Sequence, residues 1–151
     1  QIARHLGAHV TALASEDNLG QAMALGADLA LDYRTAPATG RYDVILDVPG
    51  LLPDALSRLA PGGRLGLVTA NLRQMLGAWL RPRRTGGRRV CAGIVRETPQ
   101  AVARLMAIHD AGAYRPLIGM RFALADIADA HAMADTGHKR GNLVIEMTGE
   151  A

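Results

Sequence analysis

At 151 residues the chain is long enough for one domain with a real core. Hydrophobic residues make up 49% and charged residues 21%, ordinary proportions for a globular protein, and no apolar run approaches the roughly 20 residues that span a bilayer. Net charge is +3, and the basic residues are almost all Arg, with six of them at positions 81, 83, 84, 88, 89 and 96. That cluster lacks interleaved aromatics and any nucleic-acid module, so a solvated loop is expected rather than a polyanion site.

Gln1 to Ala8 reads as the end of a helix with no beginning: no initiator Met, no N-cap and no preceding strand. His9 to Ser15 is a strand, apolar from Val10 to Ala14. Asn18 to Leu25 is a helix with Leu19, Ala22 and Met23 on one face and Gly26 as its stop. Leu29 to Leu31 is a short strand ending at Asp32-Tyr33, and Thr35 to Gly40 is loop. Tyr42 to Val48 is a near-continuous apolar strand closed by Pro49-Gly50. Pro53 to Leu59 is predicted as a helix led by Pro. Pro61-Gly62-Gly63 is predicted as a tight turn into the strand Leu65 to Thr69, and Leu72 to Leu80 as a short helix. Arg89 to Val95 is a further buried strand, with Cys91 a buried, reduced thiol inside it. Thr98-Pro99 opens a helix that runs to about Ala111 and stops at Gly112.

After Gly112 the character changes. Tyr114 to Phe122 is an apolar stretch interrupted by Pro116. Ala125 to Asp135 is an amphipathic helix, with Ile127, Ala130 and Ala134 inward and Asp126 and Asp129 outward. Gly137 to Gly141 is a basic turn, and Asn142 to Met147 a terminal strand. The strands are apolar throughout rather than alternating, as in a parallel sheet covered on both faces. Strands alternating with helices then define an α/β, doubly wound fold. A helix feeding a strand at Leu6-Gly7-Ala8 is how a dinucleotide-binding domain passes from its first helix to its second strand. The sheet is therefore expected to lack its first strand and the glycine-rich turn that cradles a pyrophosphate.

Several blocks, taken together, resemble the medium-chain dehydrogenase/reductase superfamily, most closely its zinc-independent, quinone-oxidoreductase-like NAD(P)H branch. They are Gln1-Ile2-Ala3 with Leu6-Gly7-Ala8; Leu25-Gly26-Ala27-Asp28 leading to Asp32-Tyr33; Arg41 to Asp47; and Leu59 to Arg64. Phe122 to Ile127 with Ala130-His131, and Gly137 to Ile145, complete the set. Their order and spacing carry the resemblance, and the terminal block is the strongest of them. It implies a partial Rossmann domain over 1–112. It also implies a tail over 113–151 that completes a GroES-like catalytic domain, the whole being the C-terminal half of a protein about twice this length. Pro49 departs from the pattern, which has an apolar residue before Gly50. So does the lack of a basic residue after Ser15, where NADP-preferring relatives often carry one.

The implied reaction is hydride transfer between a nicotinamide cofactor and a quinone, enone or alcohol/carbonyl substrate, with this chain alone inactive. Ser15 ends the strand whose tip meets the adenine ribose. An acid there would accept from the 2′-hydroxyl and select NAD, whereas the neutral Leu13-Ala14-Ser15 leaves room for a 2′-phosphate, with Glu16 and Asp17 opposing it. NADP is therefore expected over NAD. Ser15 is equally a helix N-cap, and Asn18 joins it as a candidate contact. Tyr33 lies near the adenine pocket by resemblance. Asp47 and Val48 close a strand at the switch-point crevice, Thr69, Ala70 and Asn71 approach the nicotinamide ribose, Val95 does so similarly, and Asn142 is a contact from the tail. Asp43 and Asp47 lie on one side of a strand, where strand-end capping is favoured over paired-carboxylate catalysis.

No catalytic residue is assigned. His5, His9, His109 and His131 form no metal-binding spacing, so no zinc is expected in this chain. No nucleic acid or membrane partner is expected, the location is read as cytoplasmic, and the 89–95 strand is the candidate edge of a homodimer. Two other readings fit parts of the chain. Tyr42 to Asp47 followed by Leu59 to Val68 also suits an S-adenosylmethionine-dependent methyltransferase, although Gly137 to Ile145 has no place there. A truncated, non-catalytic nucleotide-binding module is the other.

Overall fold

The computed structural model describes residues 1–35, 39–48, 54–68, 87–92, 98–137 and 140–147. The short helix α1 is Ile2–His5 and β1 is Thr11–Ala14. A 3-10 turn over Glu16–Asn18 leads into α2, Leu19–Ala24. Strands β2 (Leu29–Asp32), β3 (Tyr42–Asp47), β4 (Leu59–Leu67) and β5 (Arg89–Ala92) come next. Then come α3 (Pro99–Asp110), β6 (Ile118–Ala123), a 3-10 turn over Leu124–Asp126, α4 (Ile127–Asp135) and β7 (Asn142–Glu146). Two compact units result: Val10–Thr98, and Gln1–His9 with Pro99–Ala151.

In the first unit, β1 and β2 pair in parallel, Thr11 opposite Leu29 and Ala14 opposite Asp32. Parallel neighbours need a crossover, and α2 is that crossover. Gly26, at φ +105°, ends it in a conformation that a side chain would strain. The start of β2 is fastened to the start of β1 from both sides. Val10 N–H donates to Asp28 Oδ2 at 2.8 Å. The Val10 carbonyl accepts from Asp28 N–H at 2.9 Å and Leu29 N–H at 3.2 Å.

The second sheet, β3-β4-β5, is also parallel. The doubly wound order 3-2-1-4-5-6 places one strand between a pair like β2-β1 and a trio like β3-β4-β5. The β2-β1 pair and the β3-β4-β5 trio match the two flanks of that order. Leu59 has no exposed surface; Ala55 and Leu65 are buried with it, and Ile45, Leu56, Leu67 and Val90 pack around them. Arg88, expected as loop charge, donates from Nε to the Leu59 carbonyl at 2.9 Å.

Several expectations are corrected. The Pro53–Leu59 helix is not formed over its described residues: 54–58 are turn, Asp54 sits at φ +55°, and Leu59 begins β4 by pairing with Tyr42. Burial of Leu59 outweighs the helix propensity of this Leu- and Ala-containing segment, which tertiary context routinely overrides. The Pro61-Gly62-Gly63 turn lies inside β4 as a break in register: Tyr42 pairs with Leu59, but Val44 already pairs with Arg64. The Arg89–Val95 strand is described as β5 to Ala92, and Cys91 on it is exposed, not buried. Cys91 pairs with Gly66 of β4, whose partner on β3 is Leu46. Val44 and Leu46, expected inside a sheet covered on both faces, are 60% and 70% exposed. They alternate with Ile45, which faces the Leu59 cluster. The 72–80 helix lies outside the described residues.

In the second unit, β6 and β7 pair in parallel with Phe122 opposite Ile145. The register shifts between Ile118 and Met120, and there Gly119 lies so close to the Arg140 carbonyl that a Cβ would collide with it. Arg121 pairs with Glu146 across the ladder at 2.8 Å. The Gln1 side-chain amide exchanges two hydrogen bonds with the Arg115 backbone, at 2.9 and 2.8 Å. On α4, Ala130 is buried as expected, whereas Ile127 and Ala134 are exposed, because a single residue of this short helix reaches the unit's interior. Met23 on α2 is likewise exposed.

Candidate nucleotide-binding edge

In a parallel sheet all strands end on the same side, and ligands of doubly wound folds gather there. The end of β1 carries Ser15 in extended geometry, at φ −71° and ψ 156°. Its side chain makes no capping bond to the adjoining turn. Instead Ser15 Oγ accepts from Asn18 Nδ2 at 2.9 Å. The cap expectation is thereby corrected: the hydroxyl is held by Asn18, and its own proton remains to be donated. The two form a half-buried neutral pair offering a hydroxyl donor and an amide acceptor.

The end of β2 meets this pair. Tyr33 N–H donates to the Ala14 carbonyl at 3.2 Å, which puts Tyr33 beside the residue before Ser15. Asp32 is only 8% exposed; its Oδ1 accepts the Arg34 N–H at 2.9 Å, and its carbonyl accepts the Thr35 N–H at 3.3 Å. These bonds fix a tight turn and engage one carboxylate oxygen, Oδ1, with backbone. The turn lays the Arg34 guanidinium over the Tyr33 ring, 5.4 Å from its centroid. Tyr33 and Arg34 are both exposed. Arg34 is the residue that reading along the chain missed. The residues directly after Ser15 in sequence carry no cation, whereas the nearby one comes from the end of the adjacent strand.

Asp47 closes β3, in the second sheet of that unit, at 6% exposure, and Val48 just after it is exposed. The Asp47 carbonyl accepts from Val68 N–H at 3.2 Å, joining the carboxyl ends of β3 and β4. Asn142 belongs to the other unit, where its backbone and side-chain amides donate to the Leu117 carbonyl at 2.7 and 3.2 Å. Thr69, Ala70, Asn71 and Val95 lie outside the described residues.

This alternation, with its neutral strand tip, is the setting in which a match to known families carries weight. The family profile of the zinc-binding dehydrogenases matches residues 25–145, and the chain belongs to that family. A chloroplastic quinone oxidoreductase of Triphysaria versicolor is 25% identical over 97% of this chain and 47% of its own length. A chloroplastic NADPH-dependent alkenal/one oxidoreductase of Arabidopsis thaliana is 28% identical over 96% of this chain and 36% of its own. The solved quinone oxidoreductase of Coxiella burnetii has the same fold, with a TM-score of 0.75 at 22% identity over 97% of this chain and 47% of that one. The chain thus spans about half the length, or less, of the relatives it matches. With this family established, the methyltransferase reading falls away.

Among the described residues no three His, Cys, Asp or Glu side chains converge to hold a metal ion, so those residues do not fit a zinc centre. Likewise, among the described residues no helix is long and apolar enough to cross a membrane. The donor set at the β1-β2 edge does fit a nucleotide: a hydroxyl, an amide, an exposed ring and a guanidinium at the end of parallel strands.

Proposed function

We propose that this chain is the nucleotide-binding part, with the closing tail of the catalytic domain, of an NAD(P)H-dependent oxidoreductase. In this reading residues 1–112 belong to the dinucleotide-binding domain and 113–151 to the tail. The observation that carries it is the neutral Ser15–Asn18 pair at the carboxyl end of β1, in a chain of the zinc-binding dehydrogenase family. When bound, the nicotinamide supplies the hydride for a quinone, enone or alcohol/carbonyl substrate. The work of this chain is to hold and orient the cofactor. Ser15 and Asn18 meet the adenine ribose, and Tyr33 borders the adenine. Asp47 and Val48 line the crevice at the end of β3. Thr69, Ala70, Asn71 and Val95 are proposed on the nicotinamide side, and Asn142 from the tail.

The neutral strand tip supports NADP over NAD, since no carboxylate of Leu13-Ala14-Ser15 is there to accept from a 2′-hydroxyl. The relative from Arabidopsis thaliana is NADPH-dependent by name. A homodimer through the 89–95 strand and a cytoplasmic location complete the proposal; among the described residues β5 is an outer strand of its sheet. Titrating the chain with NADPH and with NADH, read by nicotinamide fluorescence, tests it. Saturable binding, tighter for NADPH, is expected. Absence of saturation by either cofactor up to millimolar concentration refutes nucleotide binding.

A further inference from the structure

We infer that Arg34, stacked on Tyr33, is the cation that receives the cofactor's 2′-phosphate and thereby sets the preference for NADP(H). The inference rests on the nucleotide-binding reading above and names the residue that gives it specificity.

Four observations carry it. Between Val10 and Thr35, Arg34 is the only Lys or Arg, while Glu16, Asp17, Asp28 and Asp32 are acidic. A dianionic phosphate at the β1 tip needs a counter-charge against the exposed Glu16 and Asp17, and within this segment Arg34 alone supplies it. Second, Asp28 precedes β2 at the end away from the Ser15 tip, and Asp32 at the near end is buried with Oδ1 accepting the Arg34 N–H, so neither is the exposed strand-tip carboxylate that holds a ribose 2′-hydroxyl and selects NAD. Third, the Arg34 guanidinium lies 5.4 Å from the Tyr33 ring centroid, within cation–π range. Arg34 is exposed, and its guanidinium is a planar fork of N–H donors of the kind that phosphate oxygens accept in pairs. Fourth, the turn is fixed before any ligand arrives, by Asp32 Oδ1 on Arg34 N–H at 2.9 Å and by the Ala14 carbonyl on Tyr33 N–H at 3.2 Å. Less side-chain freedom is then lost on binding. Ser15 Oγ, already accepting from Asn18 at 2.9 Å, has its proton left to donate to the same phosphate.

The test compares binding of adenosine 2′,5′-bisphosphate and 5′-AMP to the full chain by calorimetry or protein-observed NMR, for the wild type and for Arg34→Gln, Arg34→Lys and Tyr33→Leu. Arg34 and Tyr33 are exposed, and far-ultraviolet circular dichroism checks that each variant keeps its fold. The wild type is expected to prefer the bisphosphate. Arg34→Gln should weaken the bisphosphate about tenfold and leave AMP unchanged, as loss of one charged hydrogen-bonding partner predicts. Arg34→Lys keeps the charge without the fork and should lose less. Tyr33→Leu keeps Arg34 unstacked and should fall between wild type and Arg34→Gln. A wild-type preference that survives in Arg34→Gln overturns the role of Arg34 and leaves nucleotide binding standing. Equal binding of the two ligands by the wild type overturns the 2′-phosphate site. Binding of neither overturns the nucleotide-binding reading and this inference with it.

Discussion

Replacing Leu59 by Ala is the sharpest test of how the larger unit is held together. Leu59 has no exposed surface, and no other large side chain among the described residues is so fully enclosed. A Leu→Ala change at such a site costs roughly 2–5 kcal/mol, from lost transfer energy and from the cavity left behind. The surroundings decide where in that range it falls. Ala55 and Leu65 are buried, but Ile45, Leu56, Leu67 and Val90 are only partly so and can shift inward. Partial collapse points to the lower half, about 2–3 kcal/mol. For a chain of this size that lowers Tm by roughly 5–10 °C. The internal control is Leu46, a leucine of the same sheet that is 70% exposed, where the same substitution should cost no more than about 0.5 kcal/mol. Thermal unfolding followed by circular dichroism measures both. A Leu59→Ala shift under about 2 °C, or an equal shift for Leu46→Ala, would refute the assignment of the core to the Leu59 side of β3-β4-β5.

Three further outcomes are expected. Gly119→Ala drives a Cβ into the Arg140 carbonyl and should cost more than about 2 kcal/mol, seen as lost amide-exchange protection across β6 and β7; unchanged protection would contradict the register described there. Asp28→Ala removes the acceptor of the Val10 N–H and should lower the urea midpoint by the equivalent of about 1–2 kcal/mol, with a midpoint equal to wild type as the contrary result. Ser15→Asp places an acceptor for a ribose 2′-hydroxyl at the β1 tip and a repulsive charge against a 2′-phosphate, so the ratio of Kd for NADPH to Kd for NADH should rise at least about tenfold; an unchanged ratio argues that the ribose lies elsewhere.

The range of the physics involved sets how much sequence alone could reveal. Helix stops at Gly26 and Gly112 were legible because a positive φ is a local demand, met at +105° and +72°. Parallel pairing of β1 with β2 was legible because a short helix between two short apolar strands leaves little else. The segment 54–58 was not, since a Leu/Ala-rich stretch reads as helix until burial of Leu59 draws that residue into a strand. Nor was the exposed side of β3 and β5. An apolar run such as Val44-Ile45-Leu46 has the same appearance whether helices cover one face or both, and Cys91 was misplaced for that reason. Arg34 was missed because its importance is nonlocal. The missing signal was the pairing itself: once Ala14 lies opposite Asp32, the backbone after β2 runs beside Ser15, and a basic residue there becomes a candidate for the β1 tip.

The two ends of the β1-β2 pair thus divide stability from recognition. At the amino end a carboxylate, Asp28, is given over to the Val10 backbone amide, and its proper effect is on folding. At the carboxyl end the buried Asp32 again serves backbone, but there it fixes the turn that carries an exposed ring and an exposed guanidinium, at the same end of the strand pair as the Ser15 hydroxyl and the Asn18 amide. If that division holds, Asp28→Ala lowers stability while leaving the NADPH-to-NADH ratio of the surviving folded protein unchanged, and Ser15→Asp alters the ratio while leaving the urea midpoint near wild type. Either variant moving both quantities together would mean that the strand tip is part of the structural frame and not a ligand edge. Ser15, Asn18, Tyr33 and Arg34 would then have no claim to a nucleotide.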